Sequence, residues 1–433
     1  MFSETKRRRK IFNIDIRNTD KIEDKLKEYA SEGLFLEKVG FKNWVFREEE
    51  PKSVEYSVEY FKENLKDGST LSQNKAAYLE YTKERGWDIV CQIGGMDVFI
   101  NQGNNPLPIQ TSLDNKFENT RIYYEKTVVK PSAINLVLFL MLFMMQMSTF
   151  LDDKISYLAR QENIYLIISF ISLLTMYALL LIGHYIWVKK SQKQLIQNNK
   201  VKPPSKYFKY IENILITLSI LCSVMFFYES GFKSMLIMMI LMIIISTGIY
   251  TFVTSKLKKS NKYIKANKII SNVFLVILSI LQINIIMRIV FITPLNIHED
   301  ISSNQLPITI DDLYKDIDKN LEFEQYLNID ESMFLTKSTY EEYNLDNPNN
   351  IYYEVVQPKY EFIYDLAKKE YKGLYNLLDL EAINPEEFKA KQAYKVRQLE
   401  GYVLIYEQKI VCLNIDKEII LKNIDLIMNR LEL

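Results

Sequence analysis

The chain has 433 residues, enough for two or three domains, with 54 basic and 54 acidic side chains. Its charges are segregated: residues 1–130 carry 22 of each sign, residues 131–292 carry 17 basic and 5 acidic, and residues 293–433 carry 15 basic and 27 acidic. The acidic C-terminal part is unsuited to nucleic acid, whose phosphates repel carboxylates. Three scattered cysteines (Cys91, Cys222 and Cys412) indicate neither a disulfide framework nor a metal site.

Residues 1–125 predict a soluble α+β domain that begins with a β-α-β-β unit. Alternating apolar side chains predict a strand at residues 11–16, and Thr19 or Asp20 is positioned to cap a helix that ends at Ser31. Gly33 provides the left-handed residue at which helices commonly stop. Two further strands are predicted at residues 34–39 and 44–48.

The same pattern then repeats. Gly33 and Gly86 each end a helical pattern, and the pair Val45-Phe46 recurs as Val98-Phe99 at the same offset of 53 residues. The second unit is predicted from a strand at 54–61, a helix near 74–85 and strands at 88–93 and 97–101. We therefore expect a duplicated β-α-β-β unit, with one shared sheet and both helices on one face.

Aromatic side chains recur along these strands, at Phe35, Trp44, Phe46, Tyr56, Tyr60, Trp87 and Phe99. Aromatic residues are enriched in strands because they pack well on a pleated surface. We expect them to form the core of the domain, and a ligand pocket is the alternative.

The run Trp44-Val45-Phe46, followed by Glu50-Pro51-Lys52 and Tyr56, resembles the aromatic–acidic–Pro–Lys strand turn of the two-eight-one-two family of domains of unknown function. The paired helix–Gly–strand units and the basic opening Lys6-Arg7-Arg8-Arg9-Lys10 also resemble that family, over about residues 8–105. The family's usual Trp after the first helix-ending Gly is Leu34 here. The resemblance implies an N-terminal cytosolic module ahead of several membrane spans in Gram-positive bacteria. It implies no reaction and hints at sensing or stress response.

Five apolar stretches follow within residues 131–293, at 132–151, 164–188, 211–228, 235–254 and 269–292. Each is about as long as a helix that spans a hydrocarbon core of roughly 30 Å. Only helices satisfy their own backbone hydrogen bonds in lipid at this length. The sequence therefore predicts an α-helical multi-span membrane bundle flanked by two α+β soluble domains.

The segments between these stretches predict the orientation. Two of them hold thirteen lysines and no acid, at Lys189, Lys190, Lys193, Lys200, Lys202, Lys206, Lys209, Lys256, Lys258, Lys259, Lys262, Lys265 and Lys268. The other two hold only Lys154, Arg160 and Lys233 as basic residues. Cytoplasmic loops collect Lys and Arg, so we expect a cell-membrane protein with a cytoplasmic N-terminus and, after five spans, an extracytoplasmic C-terminal domain. No signal peptide is visible, so the first internal helix is expected to direct insertion.

Five of the polar side chains inside the predicted spans are candidates for a functional site: Gln146, His184, Gln282, Asn284 and Arg288. They favour helix packing and snorkelling over an ion path. His184 is expected in the interfacial aromatic belt beside Trp187. The basic run Lys6-Arg7-Arg8-Arg9-Lys10 is expected to be a solvated tail, and the alternative is contact with anionic lipid of the inner leaflet.

Residues 295–433 predict an α+β domain. The pattern favours a strand at 351–356, a helix at 359–378, a hairpin of strands 402–406 and 410–415, and a last helix capped by Asp416 that runs to about Arg430. His298-Glu299-Asp300 is interpreted as a linker rather than a metal site, because adjacent residues do not share one face.

The sequence carries no catalytic, cofactor-binding or metal-binding motif, so no site residue and no cofactor is predicted. We expect a non-enzymatic sensor or accessory protein that links the two soluble domains. A transporter subunit, or a membrane enzyme with an unrecognised carboxylate site such as Glu361 and Asp365, is the alternative. The expected partners are the lipid bilayer and a protein or small-molecule ligand, and nucleic acid is not expected.

Overall fold

The computed structural model describes residues 6–12, 14–40, 43–60, 73–93, 95–103, 106–109, 112–198, 200–230, 306–314, 323–344, 350–376, 380–397 and 401–433. They belong to two compact units. In the first, the described residues fall within Met1–Met141 and Ile171–Ser219; in the second, they fall within Leu142–Phe170, Ile220–Met242 and Ile280–Leu433. The predicted spans at 235–254 and 269–292, together with Gln282, Asn284, Arg288 and His298-Glu299-Asp300, lie outside the described residues.

The first unit begins with two halves of the same element order. The first half contains β1 (Arg7–Ile11), α1 (Thr19–Ser31), β2 (Leu34–Lys38) and β3 (Asn43–Glu48). The second half contains β4 (Glu55–Tyr60), α2 (Gln73–Glu84), β5 (Asp88–Ile93) and β6 (Met96–Asn101). The β-α-β-β order predicted for each half is therefore present. We call this part the N-terminal module.

The expectation of one shared sheet is wrong. The strands form two three-stranded antiparallel sheets, one in the order β1-β3-β2 and one in the order β4-β6-β5. The two sheets nevertheless contribute to one core, in which Ile22 and Leu26 of α1 cluster with Phe46 of β3 and Val98 of β6. All seven aromatic side chains predicted for the core are buried, each at 5% exposure or less.

The pairing register is the same in both halves. Phe35 pairs with Arg47 and Leu36 pairs with Phe46, and 53 residues later Asp88 pairs with Ile100 and Ile89 pairs with Phe99. The bulge also repeats, between Leu36 and Lys38 in the first half and between Ile89 and Cys91 in the second. A bulge is a specific backbone feature. Its recurrence at the offset of 53 shows that the sequence repeat is a structural repeat.

The first strand lies earlier than predicted, because the basic run is itself the strand. Arg7 to Ile11 pair with β3, whereas residues 11–16 lead into α1, whose cap is Asn18 rather than Thr19 or Asp20. The charge of the strand is compensated across the sheet: Arg7 Nε donates to Glu37 at 2.8 Å, and Arg8 donates to Glu48. The expected solvated tail is therefore an ordered edge strand.

Helices α3 to α7 follow along the chain. A five-residue π-helical segment (Glu125–Val129) joins α3 (Leu113–Tyr124) to α4 (Lys130–Asp152), and the next helices are α5 (Lys154–Ala159), α6 (Gln161–Asn198) and α7 (Lys206–Glu229). Three helical stretches are long and apolar enough to cross a membrane: Leu113–Asp152, Gln161–Asn198 and Lys206–Glu229. They contain the first three predicted spans. Large apolar side chains such as Met141 and Met145 are more than half exposed, as a lipid-facing surface requires.

The C-terminal domain of the second unit contains a seven-stranded antiparallel sheet. Its elements are α8 (Ile310–Leu313), β7 (Glu324–Glu331), β8 (Leu335–Tyr343), β9 (Ile351–Pro358), α9 (Glu361–Asn376), β10 (Leu380–Ile383), a 3-10 turn (Pro385–Phe388), β11 (Gln392–Val396), β12 (Gly401–Ile405), β13 (Ile410–Asn414), α10 (Lys417–Lys422) and α11 (Ile424–Arg430). The strand order is β10-β11-β12-β13-β9-β8-β7.

Both faces of this sheet are covered, because successive side chains point to opposite faces. Leu404 and Val411 belong to the cluster that contains Ile420 and Ile427 of the last two helices. Their neighbours Val403 and Cys412 belong to the cluster that contains Ile363 of α9 and Ile155 of α5. The central hairpin is therefore apolar on both sides, which is why it was predictable.

Other parts of the C-terminal domain differ from the prediction. Strands β7, β8, β10 and β11 were not predicted, because their partly exposed positions alternate weakly between apolar and polar residues. Asp416 caps the last helical region as expected, through the Glu418 N–H at 2.9 Å. That region is two helices rather than one, and Asn423 at the break donates to Leu313 O at 3.4 Å and Ile419 O at 3.0 Å.

The two helix-ending glycines provide a test of the repeat. Gly33 and Gly86 have φ of +83° and +82°, which costs a residue with a Cβ about 1–2 kcal/mol. A Cβ on Gly33 would also lie 2.5 Å from the backbone oxygen of Glu49, whereas on Gly86 the nearest atom is Asn101 Nδ2 at 3.1 Å. We expect Gly33→Ala to lower the apparent Tm of the purified protein in detergent more than Gly86→Ala does.

The control is Gly373→Ala in α9, where an added Cβ meets no heavy atom within 4 Å. Alanine is the better helix former, so this change should leave the Tm unchanged or raise it. Equal Tm values for Gly33→Ala and Gly373→Ala would contradict the argument.

Candidate functional site

The candidate site lies in the first unit, where the N-terminal module meets α3, α6 and the segment that follows α6. Its centre is the buried guanidinium of Arg17. Arg17 Nε and Nη2 donate to Asp15 Oδ1 and Oδ2 at 3.0 and 2.7 Å, and the side chain is 11% exposed. A bidentate ion pair of this kind fixes the orientation of the guanidinium. Burial alone would raise the pKa of Asp15, but the hydrogen bonds and charge of Arg17 outweigh it and lower that pKa.

Aromatic rings complete the environment of Arg17. Its guanidinium carbon lies 4.2 Å from the centre of the Tyr124 ring and 5.3 Å from the Trp187 ring. A cation over an aromatic face is stabilised by the ring quadrupole, most strongly where water is excluded. Arg17 therefore binds the N-terminal module to the end of α3 and to α6 at once. We call Arg17, Tyr124, Glu125, His184 and Trp187 the junction cluster.

His184 is part of this cluster rather than of a lipid-facing belt. Its ring stacks on Tyr124 with 5.3 Å between ring centres, and its Nε2 lies 3.3 Å from Glu125 Oε1. Glu125 is the first residue of the π-helical segment, a conformation that often occurs at functional positions. Within the described residues, His184 Nδ1 is buried and has no hydrogen-bond partner.

Trp187, which was expected to belong to an interfacial aromatic belt, is also buried. Its side chain is 4% exposed, its ring lies 5.3 Å from the Phe117 ring, and its Nε1 donates to Lys202 O at 2.8 Å. Ser191 Oγ donates to the same carbonyl at 3.3 Å. These two bonds hold the lysine-rich segment between α6 and α7 against the end of α6.

A cavity of about 200 Å³ opens beside the junction cluster. Its charged lining residues are Arg17, Asp20, Lys116 and Lys200, and Phe117 and Trp187 supply aromatic walls. Lys116 Nζ lies 2.8 Å from Glu23 Oε1, and the same carboxylate oxygen accepts the Val58 N–H at 2.8 Å. Burial raises the pKa of Glu23, although Lys116 opposes that shift. The cavity therefore offers cationic and aromatic groups whose charge is largely balanced by neighbouring carboxylates.

The second unit contains a comparable attachment, between α5 and the C-terminal sheet. Ile155 and Ala159 of α5 are buried in the cluster of Ile363 and Val356. Lys154 Nζ lies 2.7 Å from Glu370 of α9, and Lys337 of β8 donates to Ser156 Oγ at 2.6 Å. The turn between two apolar helices is thus part of the core of the C-terminal domain.

The remaining singled-out residues have ordinary structural environments. Gln146 accepts the Tyr157 hydroxyl at 3.1 Å. Cys91, Cys222 and Cys412 form no disulfide bond with one another, and Cys222 and Cys412 are buried. Glu361 and Asp365 are exposed on α9. In the described part of the chain, no group of three or more His, Cys, Asp or Glu side chains is arranged to hold a metal ion.

Sequence reasoning missed Arg17, Asp15, Tyr124 and Glu125. The first two lie close together, but an Arg two residues after an Asp is common on protein surfaces. Only the fold brings them against helices that follow a hundred residues later. The signal that could have found the contact is the unassigned polar stretch from Leu113 to Tyr124, which continues directly into the first apolar helix.

The Asp15–Arg17 pair predicts a pH-dependent stability. The folded-state pKa of Asp15 lies below its unfolded value of about 3.9, so Asp15 adds stability above that pH and loses it as the pH falls through the folded-state pKa. We expect Asp15→Asn to cost about 3 kcal/mol at pH 7, because the buried Arg17 charge is left unpaired. The difference in apparent Tm from the unchanged protein should shrink below about pH 4.

The matched control is Asp20→Asn in the same cavity wall. Asp20 is 75% exposed and lies 3.8 Å from Lys116 Nζ, so its pair with Lys116 is worth about 1 kcal/mol or less. A Tm loss for Asp20→Asn as large as that for Asp15→Asn would contradict the special role of the Asp15–Arg17 pair.

Comparison with known proteins confirms the family resemblance. Residues 18–130 match the family described as Protein of unknown function (DUF2812). The match begins at the cap of α1 and extends through α3 and the π-helical segment, beyond the limit of about residue 105 expected from the sequence. No curated protein and no solved structure matches the chain. The matched segment contains Tyr124 and Glu125 of the junction cluster, so α3 belongs with the two repeated halves.

Proposed function

We propose that this chain is a non-enzymatic, multi-span membrane protein that couples an extracytoplasmic domain to a cytosolic module, as a sensor or an accessory protein. The observation that carries the proposal is that each soluble part is built onto a turn between apolar helices. The turn that follows α4 contributes Ile155 and Ala159 to the C-terminal core. The turn that follows α6 is held by Trp187, which packs in the junction cluster.

The lysine distribution supports a cytosolic N-terminal module. Residues 189–210, from the last turns of α6 to the first turn of α7, carry seven lysines without an acid, and they lie in the first unit with the N-terminal module. The turn between α4 and α6 carries only Lys154 and Arg160 as basic residues, and it lies in the second unit with the C-terminal domain. Since basic loops stay in the cytoplasm, both observations favour a cytoplasmic N-terminus and an extracytoplasmic C-terminal domain. An odd number of spans, such as the proposed five, agrees with this topology.

Helix α6 is the proposed coupling element. It is continuous over 38 residues, about 57 Å at 1.5 Å per residue. Its first residue, Gln161, accepts the Met333 N–H at 2.8 Å, and His184 and Trp187 of the junction cluster lie 23 and 26 residues further along the same helix. A displacement of the C-terminal domain that moves Gln161 would therefore reach Arg17 through a single rigid element.

The proposed ligand-responsive site is the cavity beside the junction cluster, which suits a small polar molecule. The proposed lipid contact of the basic run would use Lys6 and Arg9, which are exposed, because Arg7 and Arg8 are paired with Glu37 and Glu48. A transporter subunit is the less favoured alternative, because helices α4, α6 and α7 are unbroken, whereas transporters commonly use interrupted helices.

Labelling in intact cells tests the topology. In a variant in which Cys91, Cys222 and Cys412 are replaced by alanine, Asp425→Cys on α11 should react with a membrane-impermeant maleimide. Glu50→Cys, in the N-terminal module, should react only after the cells are permeabilised. Both positions are exposed in the fold, so access depends on the membrane alone. Equal labelling of the two in intact cells would refute the proposed topology.

Hydrogen exchange tests the coupling. Glu370→Gln weakens the half-buried pair with Lys154 of α5 and should increase amide exchange at residues 15–20 and 113–124, which surround the junction cluster. The control is Glu407→Gln, which removes an exposed pair with Lys391 and should leave that exchange unchanged. If Glu370→Gln raises exchange only within the C-terminal domain, the coupling proposal fails.

A further inference from the structure

An apolar patch remains exposed on the C-terminal domain. It comprises Met333 and Phe334 in the turn between β7 and β8, and Tyr360 and Phe362 at the beginning of α9. We call these four residues the aromatic patch. Met333, Tyr360 and Phe362 are 50%, 48% and 61% exposed. In a soluble domain, side chains of this kind are expected to be covered or to mark a contact surface.

The patch is one continuous surface. The Tyr360 and Phe362 rings stack with 5.7 Å between their centres, and Phe334 lies 6.4 Å from Tyr360 and 6.5 Å from Phe362. The backbone joins the two segments as well, because the Lys359 N–H donates to Phe334 O at 2.8 Å. The side chains of the β7–β8 turn and of the beginning of α9 therefore lie next to one another on the surface.

The patch lies beside the beginning of α6. The Met333 N–H donates to the side-chain oxygen of Gln161, the first residue of that helix, at 2.8 Å. Arg160, the residue before it, pairs with Asp330 at 3.5 Å. The apolar stretch of α6 begins at Ile164, about 4.5 Å further along the helix axis. In the membrane crossing proposed for α6, Met333 is therefore placed near the boundary between the hydrocarbon core and water.

Residue chemistry and size indicate the occupant. Tyrosine is enriched at membrane–water interfaces, where its ring contacts acyl chains and its hydroxyl contacts water. The apolar stretch of α6 also carries exposed side chains, such as Ile171 at 48% exposure. Four side chains expose at most a few hundred Å², whereas a partner in a standard protein interface buries about 800 Å². A bilayer needs no such area, because the helices already hold the domain at its surface.

We propose that the aromatic patch inserts into the interfacial layer of the lipid bilayer and holds the C-terminal domain against the membrane surface. This inference rests on the membrane crossing of α6 proposed above. The domain is then oriented by two contacts, the attachment of α5 and the lipid contact of Phe362 and its neighbours. A rotation that lifts the patch from the lipid would pull on Gln161 through the Met333 bond.

Depth-dependent fluorescence quenching tests the proposal. The full-length cysteine-free protein is labelled with an environment-sensitive fluorophore at Met333→Cys and reconstituted in nanodiscs that contain lipid spin-labelled near the headgroup end of the acyl chain. We expect quenching at position 333 at least threefold greater than at Glu381→Cys. Glu381 is exposed on β10, six strands from β7, which is about 29 Å at 4.8 Å per strand.

A label at Ile171→Cys, within the apolar stretch of α6, separates the two proposals. One outcome is strong quenching at position 171 while position 333 is quenched as weakly as position 381. This outcome would overturn the patch proposal and leave the membrane crossing intact. Weak quenching at 171 would overturn the crossing of α6 and the patch proposal with it. Protection of position 333 from aqueous reagents in native membranes but not in nanodiscs would assign the patch to a protein partner instead.

Side-chain replacements provide the second measurement. Phe362→Glu places a charge on the patch and should reduce the quenching at position 333 to the level of position 381. Phe362→Leu keeps an apolar side chain and should preserve at least half of the quenching. Because Phe362 is exposed, neither change removes a core contact, so both proteins are expected to fold. Equal quenching in the two variants would overturn the proposal.

Discussion

Ile155 and Ala159 are 1% and 0% exposed, although they belong to a six-residue helix between two apolar helices. Separating that helix from the C-terminal sheet would expose both side chains and break the pair between Lys154 and Glu370. The turn and the sheet must therefore lie on the same side of any membrane that α4 and α6 cross. The burial of Trp187 places an equivalent constraint on the N-terminal module and the turn after α6. The proposed topology depends on these two packed turns as much as on the lysine distribution.

A helix that crosses a membrane is stiff, because each backbone group in the hydrocarbon core has to find its partner within the helix. Conformational adjustment is then confined to the helix ends. The first unit has its irregular backbone and its buried charges at such an end: the π-helical segment from Glu125 to Val129, the His184–Glu125 contact and the Asp15–Arg17 pair. A buried ion pair adds little net stability, because desolvation offsets the attraction between the charges. Its geometry, together with the rings of Tyr124 and Trp187, orients the module on α3 and α6.

Local patterns predicted the repeated halves, since the glycine stops, the strand alternation and the helix faces are all encoded within a few residues. The pairing register in the structure repeats at the same offset as Gly33 and Gly86, although the register itself was not predicted from the sequence. The number of sheets was not predictable, because it depends on which strand edges meet in space. The basic strand β1 was missed because its charges are compensated by Glu37 and Glu48, which are distant in sequence. The candidate site is a long-range contact of the same kind.

The two halves share a backbone but differ in what they attach to. Glu23 of α1 binds Lys116 of α3 and the Val58 N–H, and 53 residues later the corresponding position in α2 is the exposed Ala76. The neighbouring position is Ile22, buried in the core, in the first half; in the second half it is Lys75, buried and paired with Asp97 at 3.1 Å. The first half thus carries the polar groups that hold α3. In the second half, the charge of Lys75 is instead paired with Asp97 of the same half. The contact between Glu23 and Lys116 of α3 accounts for the difference between the halves at this position.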